Sequence, residues 1–254
     1  PEQLGTKTYQ EYIRIFINEV PVSILSFDHY PVIGDSITRN LRPEWYENLE
    51  IFADEAKKSG KPFWAFALAT AHKPYPIPTI SDLRLQVYSN LAYGAQGIQY
   101  FTYWTPPAGT WDFHDGPIYE GKRTEMFVKV KTVNEEIKNL SGVFLGAKVI
   151  STFHTGSAIP KGTRQLSKLP SPVKVLKTEG EGAIVSFLEK GNTAFMVVVN
   201  RDLLKSMKLN IKVNSKVKRV LKDGVIDKGN LSGLNSLEVD PGDIVIFTWT
   251  KSGQ

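Results

Sequence analysis

Three nearly unbroken apolar runs, each ending in a burst of polar and aromatic residues, constrain this chain more than any other feature. They are Ile24-Leu25-Ser26-Phe27-Asp28-His29-Tyr30, Pro62-Phe63-Trp64-Ala65-Phe66-Ala67-Leu68-Ala69-Thr70-Ala71-His72 and Gly97-Ile98-Gln99-Tyr100-Phe101-Thr102-Tyr103-Trp104. Helix-like stretches separate them. Short continuous apolar runs suit strands buried on both faces of a parallel sheet. In such sheets the loops after the strands converge on one crevice, where chemistry gathers. Asp28, His29, Tyr30, His72 and Trp104 stand at those ends.

The intervening pattern predicts a helix from Thr8 to about Asn18 and a strand at about 22–28. A second helix starts at Pro43, carries Trp45, Leu49 and Phe52 inward, and stops at Gly60. The strand 62–69 and a Pro-rich loop follow, and then a third helix from Asp82 to about Ala95 with Ser81 as its cap. Trp45 and Trp64 sit at core spacing and read as packing. A loop from Thr105 to Thr124 holds Trp111, Asp112, His114, Asp115 and Glu120, and a fourth helix runs from about Glu125 to Leu140. Loops of this length are uncommon unless they carry function. Turn chemistry facing solvent is the plainer use of its carboxylates.

After Gly146 the hydrophobic period changes from 3.6 to 2. Candidate strands are 147–154, 173–178, 183–189, 194–200, 206–213, 217–222, 235–239 and 244–250, and Thr193–Asn200 reads as the central one. Many short strands at this spacing predict an antiparallel β-sandwich. The expected organisation is therefore α/β plus all-β: residues 1–146 as an incomplete (β/α)8 segment of three strands and four helices, and 147–254 as a β-sandwich accessory domain. Three parallel strands with right-handed crossovers place the helices on one face, an arc of a barrel that lacks five strands.

Composition excludes several classes. With no cysteine there are no disulfides, thiolate metal sites or Cys nucleophile. His29, His72, His114 and His154 have no zinc-like spacing, and no cofactor is expected. No apolar stretch approaches the roughly 20 residues of a membrane span. Residues 1–147 carry 14 Lys/Arg and 17 Asp/Glu, and residues 148–254 carry 17 and 9, which sums to the net charge of +5. The basic half spreads its lysines along alternating strands, which fits a solvated surface rather than a nucleic-acid site. The chain begins at Pro1 with no initiator Met and no signal peptide, so it is expected to be processed, trimmed or cut from something longer. A periplasmic or extracellular location is expected.

In their order along the chain, Ser26-Phe27-Asp28-His29-Tyr30-Pro31, Lys61-Pro62-Phe63-Trp64 and Tyr93 through Trp104 resemble strands six, seven and eight of a retaining (β/α)8 glycoside hydrolase of the family 42 β-galactosidase type. The stretch from Gly116 to Ile137 resembles that family's last loop and helix. The resemblance covers about residues 1–150. It implies a sugar platform at Trp104 and a hydrogen-bonding tyrosine at Tyr30. It also implies a catalytic nucleophile about five residues after Pro62, where this sequence has Ala67. No Asp or Glu occurs between Gly60 and Ile80, and the acid/base would lie on a strand outside this sequence. A two-carboxylate mechanism needs both groups.

If catalysis occurs, Asp28 or a carboxylate from the missing half is the candidate acid/base, and Tyr30, which matches the family tyrosine that hydrogen-bonds the nucleophile, is a hydrogen-bond orienter. Trp104, His72, His29, Trp111 and Asp112 are the candidate substrate contacts, with His29 expected to point away from Asp28 and Tyr30 because neighbours on a strand alternate faces. Three readings stay open: glycosidic bond hydrolysis in a completed barrel, carbohydrate binding without catalysis, or a structural fragment whose edges pair with another chain. The expected partners are a carbohydrate and the missing N-terminal half of the barrel, in the same polypeptide or another.

Overall fold

The computed structural model describes residues 5–35, 37–107, 109 and 111–251. The α/β region contains α1 (Tyr9–Glu19), β1 (Leu25–Phe27), β2 (Val32–Gly34), β3 (Arg39–Leu41), α2 (Trp45–Ser59) and β4 (Phe63–Leu68). It continues with α3 (Ile80–Ala92), β5 (Gly97–Phe101), β6 (Ile118–Tyr119), β7 (Lys122–Arg123), α4 (Glu125–Asn139) and α5 (Ser141–Phe144). Strands β1, β4 and β5 pair in parallel and in sequence order, with Leu25 opposite Phe63 and Trp64 opposite Gly97. Among the described residues they close no barrel.

The sheet's two faces differ. Phe63, Ala65, Ala67 and Ala69 join Leu25 and Phe27 in the core shared with α2 and α3. The opposite face carries Ser26, Trp64, Phe66 and Gln99, and Trp64 is 39% exposed. Trp45 is fully buried as expected, whereas Trp64 is not core. Its indole lies over Gly97, where any Cβ would meet the ring at 2.8 Å. Residue alternation puts Trp64 on the side that has no helix layer.

One helix start and two short hairpins depart from expectation. Helix α3 starts earlier because Thr79, not Ser81, is its N-cap, forming a reciprocal capping box with Asp82. The short hairpins β2–β3 and β6–β7 interrupt stretches that read as loops, since two- and three-residue strands leave no periodic trace.

The antiparallel region contains β8 (Lys148–His154), β9 (Val173–Thr178), β10 (Ala183–Lys190), β11 (Thr193–Asn200), β12 (Met207–Val213), β13 (Lys218–Val220), β14 (Leu234–Val239) and β15 (Ile244–Thr250). One sheet has the order β13-β15-β11-β10-β8 and the other β14-β12-β9, so β11 is the middle strand of five. Met196, Val198 and Phe247 of the first sheet share a core with Leu209, Ile211 and Val239 of the second.

The five-stranded sheet is buried on its other face as well. Ile184, Phe195, Val197 and Ile246 belong to the core of the α/β region, and the Ser186 hydroxyl donates to the Ala92 carbonyl at 2.7 Å. Helix α3 is thus wedged between two sheets. Leu83, Leu85 and Val87 are inaccessible to solvent, and each contributes roughly 2 kcal/mol of burial. The two regions share a hydrophobic core.

Candidate functional site

The site forms where the three parallel strands end. After β1 the chain turns through Asp28, His29 and Tyr30. Asp28 is exposed, while the Tyr30 ring is 7% exposed. The Tyr30 hydroxyl is buried and has no hydrogen-bond partner of good geometry among the described residues. Burial first, and then the nearby Asp28 carboxylate, push this phenol above its ordinary pKa. Between them His29 turns the other way, its ring stacked on Trp45 at 5.7 Å and 18°. Burial and then the Arg42 charge hold His29 below its usual pKa, and its Nε2 is buried without a partner among the described residues.

The segment after β4 supplies the second wall. Helix α3 anchors this strand end, because β1 pairs only as far as Ala65 and leaves the Leu68 amide free. The Gln86 side-chain oxygen accepts from that amide at 2.8 Å. His72 then packs against Tyr75 at 4.9 Å, Phe113 at 4.6 Å and Phe101 at 6.2 Å. Burial lowers the His72 pKa, opposed by the charges of Asp112 and Asp28, so both carboxylates act on this imidazole. Its Nδ1 is buried and unpartnered among the described residues.

The long loop after β5 folds back over this wall. The Ala71 amide donates to the His114 carbonyl at 2.9 Å and the His114 amide returns the bond at 3.0 Å. The Lys73 amide donates to Asp112 Oδ1 at 3.0 Å, which holds the Asp112 carboxyl below its ordinary pKa. Trp111 stands edge-on to His72 at 6.2 Å and 88°, with its indole 59% exposed.

The structure therefore brings Asp28, Tyr30, His72, Trp111 and Asp112 to one rim and turns His29 into the packing beneath it. Trp104 lies further out, 51% exposed and bridged by its backbone to Ile118. The ring at the end of β5 that faces Tyr30 is Phe101, at 6.5 Å. Phe101, Tyr75, Phe113 and Arg42 were missed in the sequence. Phe101 was in plain view in the third apolar run, but the others sit on loops whose return path the sequence does not reveal.

The rim is open rather than enclosed. The hollow beneath Tyr30, lined by Leu68, Pro76 and Gln86, measures only about 10 Å³, whereas a groove of about 570 Å³ lies elsewhere, among Glu50, Phe63, Tyr93, Val149 and Arg164. Among the described residues no three His, Asp or Glu side chains converge as metal ligands, and no helix is long and apolar enough to cross a membrane.

The sequence matches the glycoside hydrolase 42 family, described as β-galactosidase, over residues 8–140, more than half of the chain. The chain belongs to the glycoside hydrolase 42 family. Among solved structures, a catalytic mutant of Gan42B, a family 42 β-galactosidase from G. stearothermophilus, is similar with a TM-score of 0.60 at 9% identity, over 96% of this chain and 61% of that one. A β-galactosidase from the psychrophilic Marinomonas ef1 matches 48% of this chain and 21% of its own length, at 17% identity and a TM-score of 0.38. The α-fucosidase of Thermotoga maritima matches 99% of this chain and 59% of its own, at 10% identity and a TM-score of 0.39. The family 42 chain described here thus spans less than two thirds of each of these proteins. No curated protein matches its sequence.

In this family 42 chain the position five residues after Pro62, Ala67, is fully buried and belongs with Ala65 and Ala69 to the core on the helix side of the sheet. The residues of β4 that alternate with them, Phe66 and Leu68, occupy the other face.

Proposed function

We propose that this chain is the C-terminal part of a glycosidase-like protein whose rim binds a neutral sugar, a β-galactoside being the first candidate. The observation that carries the reading is the convergence of Asp28, Tyr30, His72 and Phe101 at the ends of three successive parallel strands. Two of these groups, the Tyr30 hydroxyl beside the Asp28 carboxylate and His72 Nδ1, are buried with no well-formed hydrogen bond among the described residues, and buried polar atoms call for hydrogen bonds. Sugar hydroxyls supply them. The exposed indoles of Trp104 and Trp111 offer apolar faces on which the C–H side of a pyranose packs.

In the hydrolytic reading, Asp28 or a carboxylate from the rest of the barrel serves as acid/base and Tyr30 orients it. The open face bearing Trp64 and the outer edges of β1 and β5, unpaired among the described residues, support a seat for the remaining barrel strands, in the same polypeptide or in another chain. The antiparallel region acts as an accessory β-sandwich that stabilises the half-barrel through their shared core. The whole protein works in the periplasm or outside the cell. Sugar binding without hydrolysis is the second reading, favoured by the absence of any carboxylate between Gly60 and Ile80.

The test measures p-nitrophenyl β-D-galactopyranoside hydrolysis and D-galactose binding by calorimetry, on this chain and on its full-length parent. Turnover by the parent supports the hydrolytic reading, and binding without turnover supports the second. Absence of both binding and turnover in both proteins sinks the sugar reading.

A further inference from the structure

We infer that Arg42 is the positioning residue of this rim, setting Tyr30 and His72 in register although they follow different strands. The sugar-binding half of this inference rests on the function proposed above, whereas its geometric half stands alone. Arg42 Nε donates to the Tyr30 carbonyl at 3.2 Å, and its Nη2 donates to the Tyr75 hydroxyl at 2.8 Å. Tyr75 meets the Tyr30 ring edge-on at 5.5 Å and 89°. Tyr75 is also tied to His72 through a tight turn: the Tyr75 amide donates to the His72 carbonyl at 2.5 Å, and the His72 amide to the Tyr75 carbonyl at 3.2 Å. One guanidinium therefore ties the Tyr30 main chain to Tyr75 and, through the Tyr75–His72 turn, to the loop that carries His72.

The guanidinium is itself held in place. Its own amide donates to the Pro31 carbonyl at 2.7 Å, and Glu44 lies 3.5 Å from Nη1. It follows β3, whose first residue, Arg39, pairs with the buried Asp82 and donates to the Ile77 carbonyl at 2.7 Å. Because Asp82 also closes the α3 capping box, the hairpin that presents Arg42 is bolted to a helix wedged between two sheets. A planar fork can serve a main-chain carbonyl and a phenol at once, which the single ammonium of lysine on its flexible stem cannot do in the same geometry.

The test uses the whole chain with Arg42→Met, Arg42→Lys, Tyr75→Phe and the double variant Arg42→Met/Tyr75→Phe. Near-UV circular dichroism reads the tyrosine packing, calorimetry reads D-galactose affinity, and melting temperature checks the fold. Arg42→Met is expected to weaken the tyrosine band and to cost about tenfold in galactose affinity, the scale of one lost hydrogen bond. Arg42→Lys is expected to restore neither, and the double variant to be no worse than Arg42→Met.

Full additivity of the two single changes overturns the inference, as does an unchanged tyrosine band in folded Arg42→Met. If Arg42→Met does not fold, Arg42→Lys decides, and wild-type behaviour in it overturns the inference. If the native chain binds no galactose, the sugar reading fails at this rim, while the near-UV series still decides what Arg42 holds.

Discussion

The Tyr93 hydroxyl and His154 Nε2 stand 2.7 Å apart, sharing a hydrogen bond across the junction between the α/β region and strand β8. The imidazole is inaccessible to solvent and packs edge-on against Tyr46 at 5.0 Å. Burial first, and the Arg201 charge second, lower its pKa to about 3.

The consequence for stability has a definite sign. The folded state keeps His154 neutral, while the unfolded chain takes up a proton near the ordinary imidazole value of 6.5. Stability from this group is complete above that value and is lost as pH falls from there toward about 3, by up to about 1.4 kcal/mol per unit. Denaturant melts between neutral pH and mild acid should show this loss, and His154→Gln should flatten the profile. Parallel profiles for the two proteins would assign the acid sensitivity to other groups.

A second junction is ionic. Glu136 on α4 accepts from Arg84 at 2.5 Å and from the Tyr88 hydroxyl at 2.5 Å, with Lys222 at 3.5 Å. Burial raises the Glu136 carboxyl, but these partners outweigh it and bring its pKa below the ordinary value. Asp243 pairs with Lys222 and lies 3.6 Å from Arg84. Glu136→Gln leaves two cations sharing one carboxylate in a largely buried place, and should cost about 3 kcal/mol in urea unfolding.

The β6–β7 turn holds a removable strain. Tyr119 pairs with Lys122, so Glu120 and Gly121 form a two-residue loop with φ of 48° and 75°. Such turns need left-handed backbone at both positions and favour Asn-Gly. Glu120→Asn should stabilise the fold by on the order of 1 kcal/mol, read as a melting temperature a few degrees higher. A lower melting temperature would count against this account of the turn.

Ala67→Glu tests what the parallel sheet permits five residues after Pro62, where the family resemblance implies a nucleophile. The Ala67 side chain is fully buried in the helix-side core, so a carboxylate there has neither water nor a partner and should cost upwards of about 3 kcal/mol. Loss of soluble folded protein, without gain of galactosidase turnover, is the expected outcome. A stable variant that hydrolyses the aryl galactoside would place this position in the cleft after all.

Much of the α/β region was legible because helix and strand periods differ so sharply. Thr8, Gly60 and the 24–30 and 97–104 runs marked elements that the structure confirms within a few residues. The Ser81 cap was misplaced because Thr79 and Ser81 offer the same chemistry two residues apart, and only the partner amide decides between them. Trp64 reads as packing but is 39% exposed, because alternation along β4 turns it to the sheet face that carries no helix layer.

The amino-acid order alone determined the three parallel strands, their sequential pairing, the change to antiparallel strands after Gly146 and the placement of Asp28, Tyr30 and His72 at strand ends. These follow from local periodicity and from alternation along a strand. Tertiary structure alone decided that Phe101, with Tyr75 and Phe113, lines the rim, that Arg42 ties two of its loops together, and that the five-stranded sheet is buried on both faces. Those relationships join residues distant in sequence, and no local pattern records which side chain will meet which.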